Sequence, residues 1–162
     1  MRIEWIHIKG FRNFDDVKIH FADKILIIGA NDVGKTNLIY ALRLLFDKSI
    51  NEHDLELKDS DYNAYSGTNK ISITVKLSDA NEDCLLSTFG GDIKDGCLLI
   101  RYINSKKSTY SIFSGFDEET LEERPSRFYI KRLNMECVDT NRDLFSFLKR
   151  EKIRYSKLQM IL

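Results

Sequence analysis

The segment Gly29-Ala30-Asn31-Asp32-Val33-Gly34-Lys35-Thr36 constrains this chain more than any other part of it. It follows the apolar run Ile25-Leu26-Ile27-Ile28 and precedes a helical pattern from Asn37 to Phe46, the order that a phosphate-binding loop requires. Gly29 and Gly34 let the backbone turn tightly around phosphates and aim successive amides at negative charge. The helix that follows adds the positive end of its dipole. Lys35 supplies a point charge for the β- and γ-phosphates and is the candidate catalytic residue, while Thr36 offers a hydroxyl to Mg²⁺. Such a loop implies an α/β protein of the P-loop class, with Ile25 to Ile28 as a buried parallel strand.

The rest of the chain fits a single domain. Its 162 residues are 43% hydrophobic, enough for an ordinary core. Charges balance overall at 25 basic and 25 acidic residues, so no general basicity points to nucleic acid. They are unevenly spread: residues 1–123 hold 15 Lys/Arg against 21 Asp/Glu, and residues 124–162 hold 10 against 4. A basic tail of this kind reads as a solvated face, or as a partner or nucleic-acid surface. Cys84, Cys97 and Cys137 form no close-spaced pair, which argues against a disulfide framework and a zinc site, and for a reduced, cytoplasmic setting. The sequence shows no signal peptide and no apolar stretch long enough to span a bilayer.

Alternation predicts strands at Arg2 to Ile8 and Val17 to Phe21, joined through Lys9-Gly-Phe-Arg-Asn-Phe14. Leu38, Ala41, Leu42, Leu45 and Phe46 recur at helical spacing. Residues 47–69 are polar and acidic and read as a long surface loop. Further strands are expected at Ile71 to Leu77, Cys97 to Ile103 and Ser108 to Phe113, with a turn at Asn104-Ser-Lys-Lys107 and a short helix at Asn81 to Thr88. Glu118 to Glu123 reads as a scrap of helix, Arg127 to Leu133 and Met135 to Val138 as strand-like, and Asn141 to Leu162 as two helices.

What accompanies the loop narrows its class. The only Asn-Lys, Asn69-Lys70, lacks the following Asp of a guanine-reading element. Arg124, Arg127 and Arg132 could furnish a kinase-type lid, but two strands precede the P-loop strand, which argues against a small-molecule kinase. The early arrangement, strand, Gly-Phe-Arg-Asn-Phe, second strand, then Ile-Ile-Gly-Ala-Asn-Asp-Val-Gly-Lys-Thr-Asn-Leu-Ile-Tyr-Ala-Leu, resembles the ABC-type ATPase heads of the RecF, SMC and OLD (overcoming lysogenization defect) families. Asp32 to Lys48, followed by Lys58-Asp-Ser-Asp-Tyr62, is most similar to OLD-family nucleases, including those of the Gabija defence type. Val138-Asp-Thr-Asn-Arg-Asp-Leu144 also resembles the end of the first lobe in that family.

The resemblance implies that residues 1–162 are the N-terminal part of an ABC/AAA-type ATPase domain, a mixed sheet around a P-loop helix, cut before the signature and Walker B elements. It implies ATP and Mg²⁺ as ligands. Arg12 is expected against the nucleotide phosphates, where a guanidinium fork adds to the Lys35 charge, with Asn13 beside it. The nucleotide site is then Arg12, Asn13, Gly29, Ala30, Asn31, Asp32, Val33, Gly34, Lys35, Thr36 and Asn37. Asn31 would orient a γ-phosphate or water, Asp32 would serve the loop, and Asn37 would cap the helix.

Hydrolysis also needs acids on the metal and the attacking water. No apolar run ending in Asp-Glu occurs; Met135-Glu-Cys-Val-Asp139 is the nearest approach. Leu86-Ser-Thr-Phe-Gly-Gly-Asp92 imitates an ABC signature but carries inserted residues and reads as a decoy. Asp139 or Asn141 could replace the family's Mg²⁺-sensing Gln. A lobe of this kind would bind ATP without hydrolysing it alone, and its partners would be a second ATPase head in a homodimer or larger oligomer and, for the parent protein, DNA. Three functions follow: the ATP-binding lobe of an OLD-like DNA endonuclease of anti-phage defence, a RecF- or SMC-type repair head without nuclease, or a nucleotide-binding module that has lost hydrolysis. A DNA contact by this segment would rest on Lys106-Lys107 and on Lys149, Arg150 and Lys152.

Overall fold

The computed structural model describes residues 1–31 and 33–137. Six strands form one sheet: β1 (Arg2–Phe11), β2 (Phe14–His20), β3 (Lys70–Ser78), β4 (Leu98–Ser105), β5 (Ser108–Gly115) and β6 (Glu122–Arg124). Their order is β2-β1-β3-β4-β5-β6, and every pairing among the described residues is antiparallel. Among the described residues two α-helices accompany them, α1 (Lys35–Phe46) and α2 (Asp83–Phe89).

Register sorts the side chains into two faces. Val17, Ile8, Ile73, Tyr102 and Ile112 line up across five strands, and the next row on the same face runs Ile19, Ile6, Val75, Ile100 and Ser114. The central members of these rows are fully buried and form one core with Leu38, Ala41, Leu42 and Leu45 of α1. The intervening row, Lys18, His7, Thr74, Arg101 and Phe113, belongs to the opposite, more polar face. There Arg101 donates to the Thr74 hydroxyl at 2.8 Å.

The carboxyl end of α1 is closed by the segment that follows β6. The last carbonyls of a helix have no partner within it. Here Asp47 N–H donates to Arg43 O, Arg127 Nη1 to Leu44 O at 3.4 Å, the Tyr129 hydroxyl to Leu45 O at 3.1 Å and Met135 N–H to Phe46 O at 2.7 Å. Arg127, buried, also donates to Asp47 O at 2.7 Å and Ile50 O at 2.6 Å. A guanidinium among carbonyls at a helix carboxyl end sits in the favourable half of the dipole.

Several expectations need correction. Ile25 to Ile28 is not a buried strand: it pairs with no described residue, and Leu26 and Ile28 are 83% and 80% exposed. Burying such a run needs neighbouring strands and layers over both faces, and among the described residues it has neither. Residues 47–69 are not simply a surface loop; they contain 3-10 turns at Glu52–Leu55 and Asp59–Asp61 and bury Leu55, Tyr62 and Asn63. Glu118 to Glu123 forms no helix: Asp117 to Thr120 is a turn tied by Asp117 Oδ1, and Glu122–Arg124 is the edge strand β6. Arg127 to Leu133 is a run of turns rather than a strand, because Tyr129 and Leu133, four apart, both enter the core. Residues 135–137 are irregular rather than strand-like. Val138 to Leu162, with the two expected helices, Asp139, Asn141 and the basic residues Lys149, Arg150 and Lys152, lies outside the described residues.

Candidate nucleotide-binding site

The β1 and β2 strands are joined by a tight turn, with Phe11 opposite Phe14 and only Arg12 and Asn13 between them. Arg12 takes φ 49°, the left-handed region that a side chain disfavours by on the order of 1 kcal/mol. The turn is held there by neighbours. Arg12 N–H donates to Asp61 O at 2.7 Å, and Asn63 Nδ2 donates to Arg12 O at 2.8 Å.

This turn meets the phosphate-binding loop. Arg12 Nη1 donates to Asn37 Oδ1 at 2.9 Å, Asn37 Nδ2 donates to Asn13 Oδ1 at 2.7 Å, and Asn13 Nδ2 donates to Val33 O at 3.2 Å. The Arg12 guanidinium carbon lies 4.4 Å from the Tyr40 ring centre and 5.1 Å from that of Phe11. Arg12, Asn13, Val33, Gly34 and Asn37 are thus one connected cluster. Asn37 is not the helix cap that the sequence led us to expect, since no side chain caps α1; its amide links the turn to the helix instead.

Gly34 ends the loop with φ 106° and is buried against Asn13, whose Nδ2 would stand 2.2 Å from any Cβ added there. Its conformation starts α1, and no side chain caps that start. The first amides of the helix, from Lys35 on, are the group that an anion satisfies. No acid stands in the first turn to compete. Lys35 folds back on the loop, its Nζ donating to Gly29 O at 2.7 Å and Ala30 O at 2.6 Å. Thr36 is exposed in the first turn, as are Gly29, Ala30 and Asn31 in the loop. Asp32 lies outside the described residues.

These contacts give the arrangement a simple chemistry. It brings a guanidinium from the β1–β2 turn to a helix start that carries an ammonium and uncapped amides, which is what a polyanion requires. A sequence model of the AAA ATPase domain family, AAA_15, matches residues 1–160. The chain belongs to the AAA ATPase domain family.

Relatives of this AAA ATPase domain agree with the fold. Endonuclease GajA of Bacillus cereus (strain VD045) is 43% identical over 81 residues, covering 50% of this chain and 14% of GajA. The DNA replication and repair protein RecF of Bacillus cytotoxicus is 33% identical over 88 residues, covering 48% of this chain and 24% of RecF. The chain therefore spans a small part of the length of these relatives. Among solved structures, one of an SMC ATPase superposes with a TM-score of 0.58 at 19% identity, covering 91% of this chain and 90% of that one. RecF bound to ATP superposes with a TM-score of 0.53 at 16% identity, covering 80% and 30%. At such identities the likeness shows the fold, the amino-terminal lobe of an SMC- and RecF-like P-loop ATPase head.

The other sequence candidates have structural employment. Arg124 pairs with Asp92 at 2.5 Å and Arg127 closes α1, so neither forms a lid. Leu86 to Asp92, the imitation signature, ends α2, and Asp92 accepts from the Ser114 hydroxyl at 2.5 Å. Asp61 was missed: Lys58 to Tyr62 was visible as a family-like stretch, but nothing in it pointed to Arg12.

Proposed function

We propose that this AAA ATPase domain is the ATP-binding lobe of an OLD-like, ATP-regulated DNA endonuclease of anti-phage defence. The observation that carries the proposal is the meeting of the Arg12-Asn13 turn with the phosphate loop through Asn37 and Val33. The 43% identity to endonuclease GajA supports the nuclease context. Lys35 exchanges its acceptors Gly29 O and Ala30 O for the β- and γ-phosphates, and the amides from Lys35 to Asn37 face the phosphate oxygens. Arg12 adds a fixed positive fork from the side of the β1–β2 turn.

The chemistry that Mg²⁺ would supply here is positive charge against the nucleotide phosphates. The exposed Thr36 hydroxyl fits it as a single protein ligand. Among the described residues no cluster of three His, Cys, Asp or Glu side chains stands ready for a metal. The metal would therefore depend on the nucleotide. The proposal assigns to the 162-residue chain ATP binding without appreciable turnover, with a second head and DNA as partners of the longer protein, acting in the cytoplasm.

Calorimetric titration with ATP tests it. The chain should bind, and Lys35→Ala should bind at least about tenfold more weakly, since it loses a charge-assisted contact; equal affinity would remove the phosphate-loop assignment. A second reading, a RecF- or SMC-type repair head without nuclease, draws on the RecF relatives and the SMC superposition. Metal-dependent cleavage of plasmid DNA by a longer protein carrying this domain would support the first and exclude the second.

A further inference from the structure

Segment 58–63 holds Arg12 by its backbone N–H, its carbonyl and its Nε. Asp61 O accepts from its backbone N–H at 2.7 Å, Asn63 Nδ2 donates to its carbonyl at 2.8 Å, and Asp61 Oδ1 accepts from Nε at 2.9 Å. The second Asp61 oxygen accepts from Lys58 N–H at 3.0 Å, which fixes the carboxylate before it meets the arginine. The segment is itself anchored. Tyr62 pairs with Phe11 as an isolated bridge and its hydroxyl donates to buried Asn104 at 2.5 Å, while Asn63 N–H donates to Gly10 O at 2.9 Å.

The geometry of the pair is informative. A carboxylate that merely neutralises arginine commonly takes two parallel bonds from the fork. Asp61 takes only Nε, and Nη1 is turned to Asn37 at the start of α1. Among the described residues Nη2 has no partner. Asp61 side-chain exposure is 14% and that of Arg12 is 29%, so the carboxylate is the more enclosed member and the guanidinium the one that reaches outward.

We infer that Asp61 is a positioning residue for nucleotide binding: it holds the Arg12 guanidinium by Nε so that its other edge is already aimed at the phosphates over the α1 start. The inference rests on the phosphate-loop assignment above. Asp61 touches no nucleotide. Its effect passes through Arg12, by removing the rotamer freedom that a long side chain would otherwise lose on binding.

The test is a double-mutant cycle on the 162-residue chain, with ATP, ADP and AMP titrated into wild type, Asp61→Ala, Arg12→Ala and the double variant. Asp61→Ala should weaken ATP about three- to tenfold, as expected for one side chain left to be ordered by the ligand. The loss should shrink from ATP to AMP. In the Arg12→Ala background the second substitution should add nothing. Asp61→Asn, which keeps an acceptor for Nε, should recover much of the affinity and serves if the alanine variant does not fold. Multiplicative losses, an equal loss for all three nucleotides, or unchanged ATP affinity in folded Asp61→Ala would each overturn the inference. Lys35→Ala separates the two levels. If it loses ATP while folded Asp61→Ala does not, the positioning role alone fails; if Lys35→Ala binds like wild type, the site assignment fails and the positioning role with it.

Discussion

Gly34 occupies a backbone conformation and a space that only glycine fits. An added Cβ would stand 2.2 Å from Asn13 Nδ2 at φ 106°. Gly34→Ala should therefore cost about 1–3 kcal/mol in urea denaturation and also weaken ATP, because Asn13 must leave Asn37 to make room. Asp47 makes a pH prediction. Burial alone would raise its pKa, but hydrogen bonds from Ser49 and Arg43 outweigh it and hold the carboxylate below its ordinary 3.8. The unfolded chain then takes up the proton first as pH falls. The contribution is complete above 3.8 and is lost as pH drops through the lower folded value. Thermal melts should show that decline in wild type and a flatter one in Asp47→Asn. At this scale the loop was legible in sequence because Gly34, Lys35 and Thr36 each answer a local need of phosphate. The tie of Asn37 to Asn13 and the role of Asp61 were not, since Asn13 and Arg12 lie 24 and 49 positions from them.

Among elements, α1 is notable for having each of its last four carbonyls taken up from outside the helix or by its own cap. Arg127→Met keeps length and apolar bulk but leaves three carbonyls short of a charged donor. It should destabilise by about 3 kcal/mol, and Tyr129→Phe by about 1 kcal/mol, read as shifts in denaturation midpoint. The tyrosine is also fully buried, and burial drives its phenol pKa upward, so the hydroxyl remains a donor to Leu45 throughout the usual range. Strands β1, β3, β4 and β5 were legible because one face alternates into a core. The 127–133 segment misled because Phe128, Tyr129 and Ile130 suit a strand as well as a turn, and what decides between them is the distant end of α1. Ile25 to Ile28 misled for a similar reason: continuous apolarity describes a fully buried strand only where neighbours exist to bury it.

Taken whole, the described molecule is an antiparallel sheet with α1 on one face and an apolar ribbon left outside the core. Leu26→Asp and Ile28→Asp should change the stability of the chain by less than about 0.5 kcal/mol, as exposed sites do, whereas Ile6→Asp should unfold it. Circular dichroism melts distinguish these outcomes, and a comparable loss for all three would mean that the ribbon is buried in solution. No helix among the described residues is long and apolar enough to cross a membrane. The fastening of α1 at both ends has a mechanical consequence. Its first turn is tied to Arg12 and Asn13, its last to Arg127, Tyr129 and Met135, and the core grips the turns between. A helix of 12 residues, roughly 18 Å long, cannot absorb a push by fraying when both ends are pinned. It behaves as a strut. A shift of Lys35 along the axis is therefore expected to be felt at residues 127–135 as well, and amide exchange of that segment with and without ATP measures it.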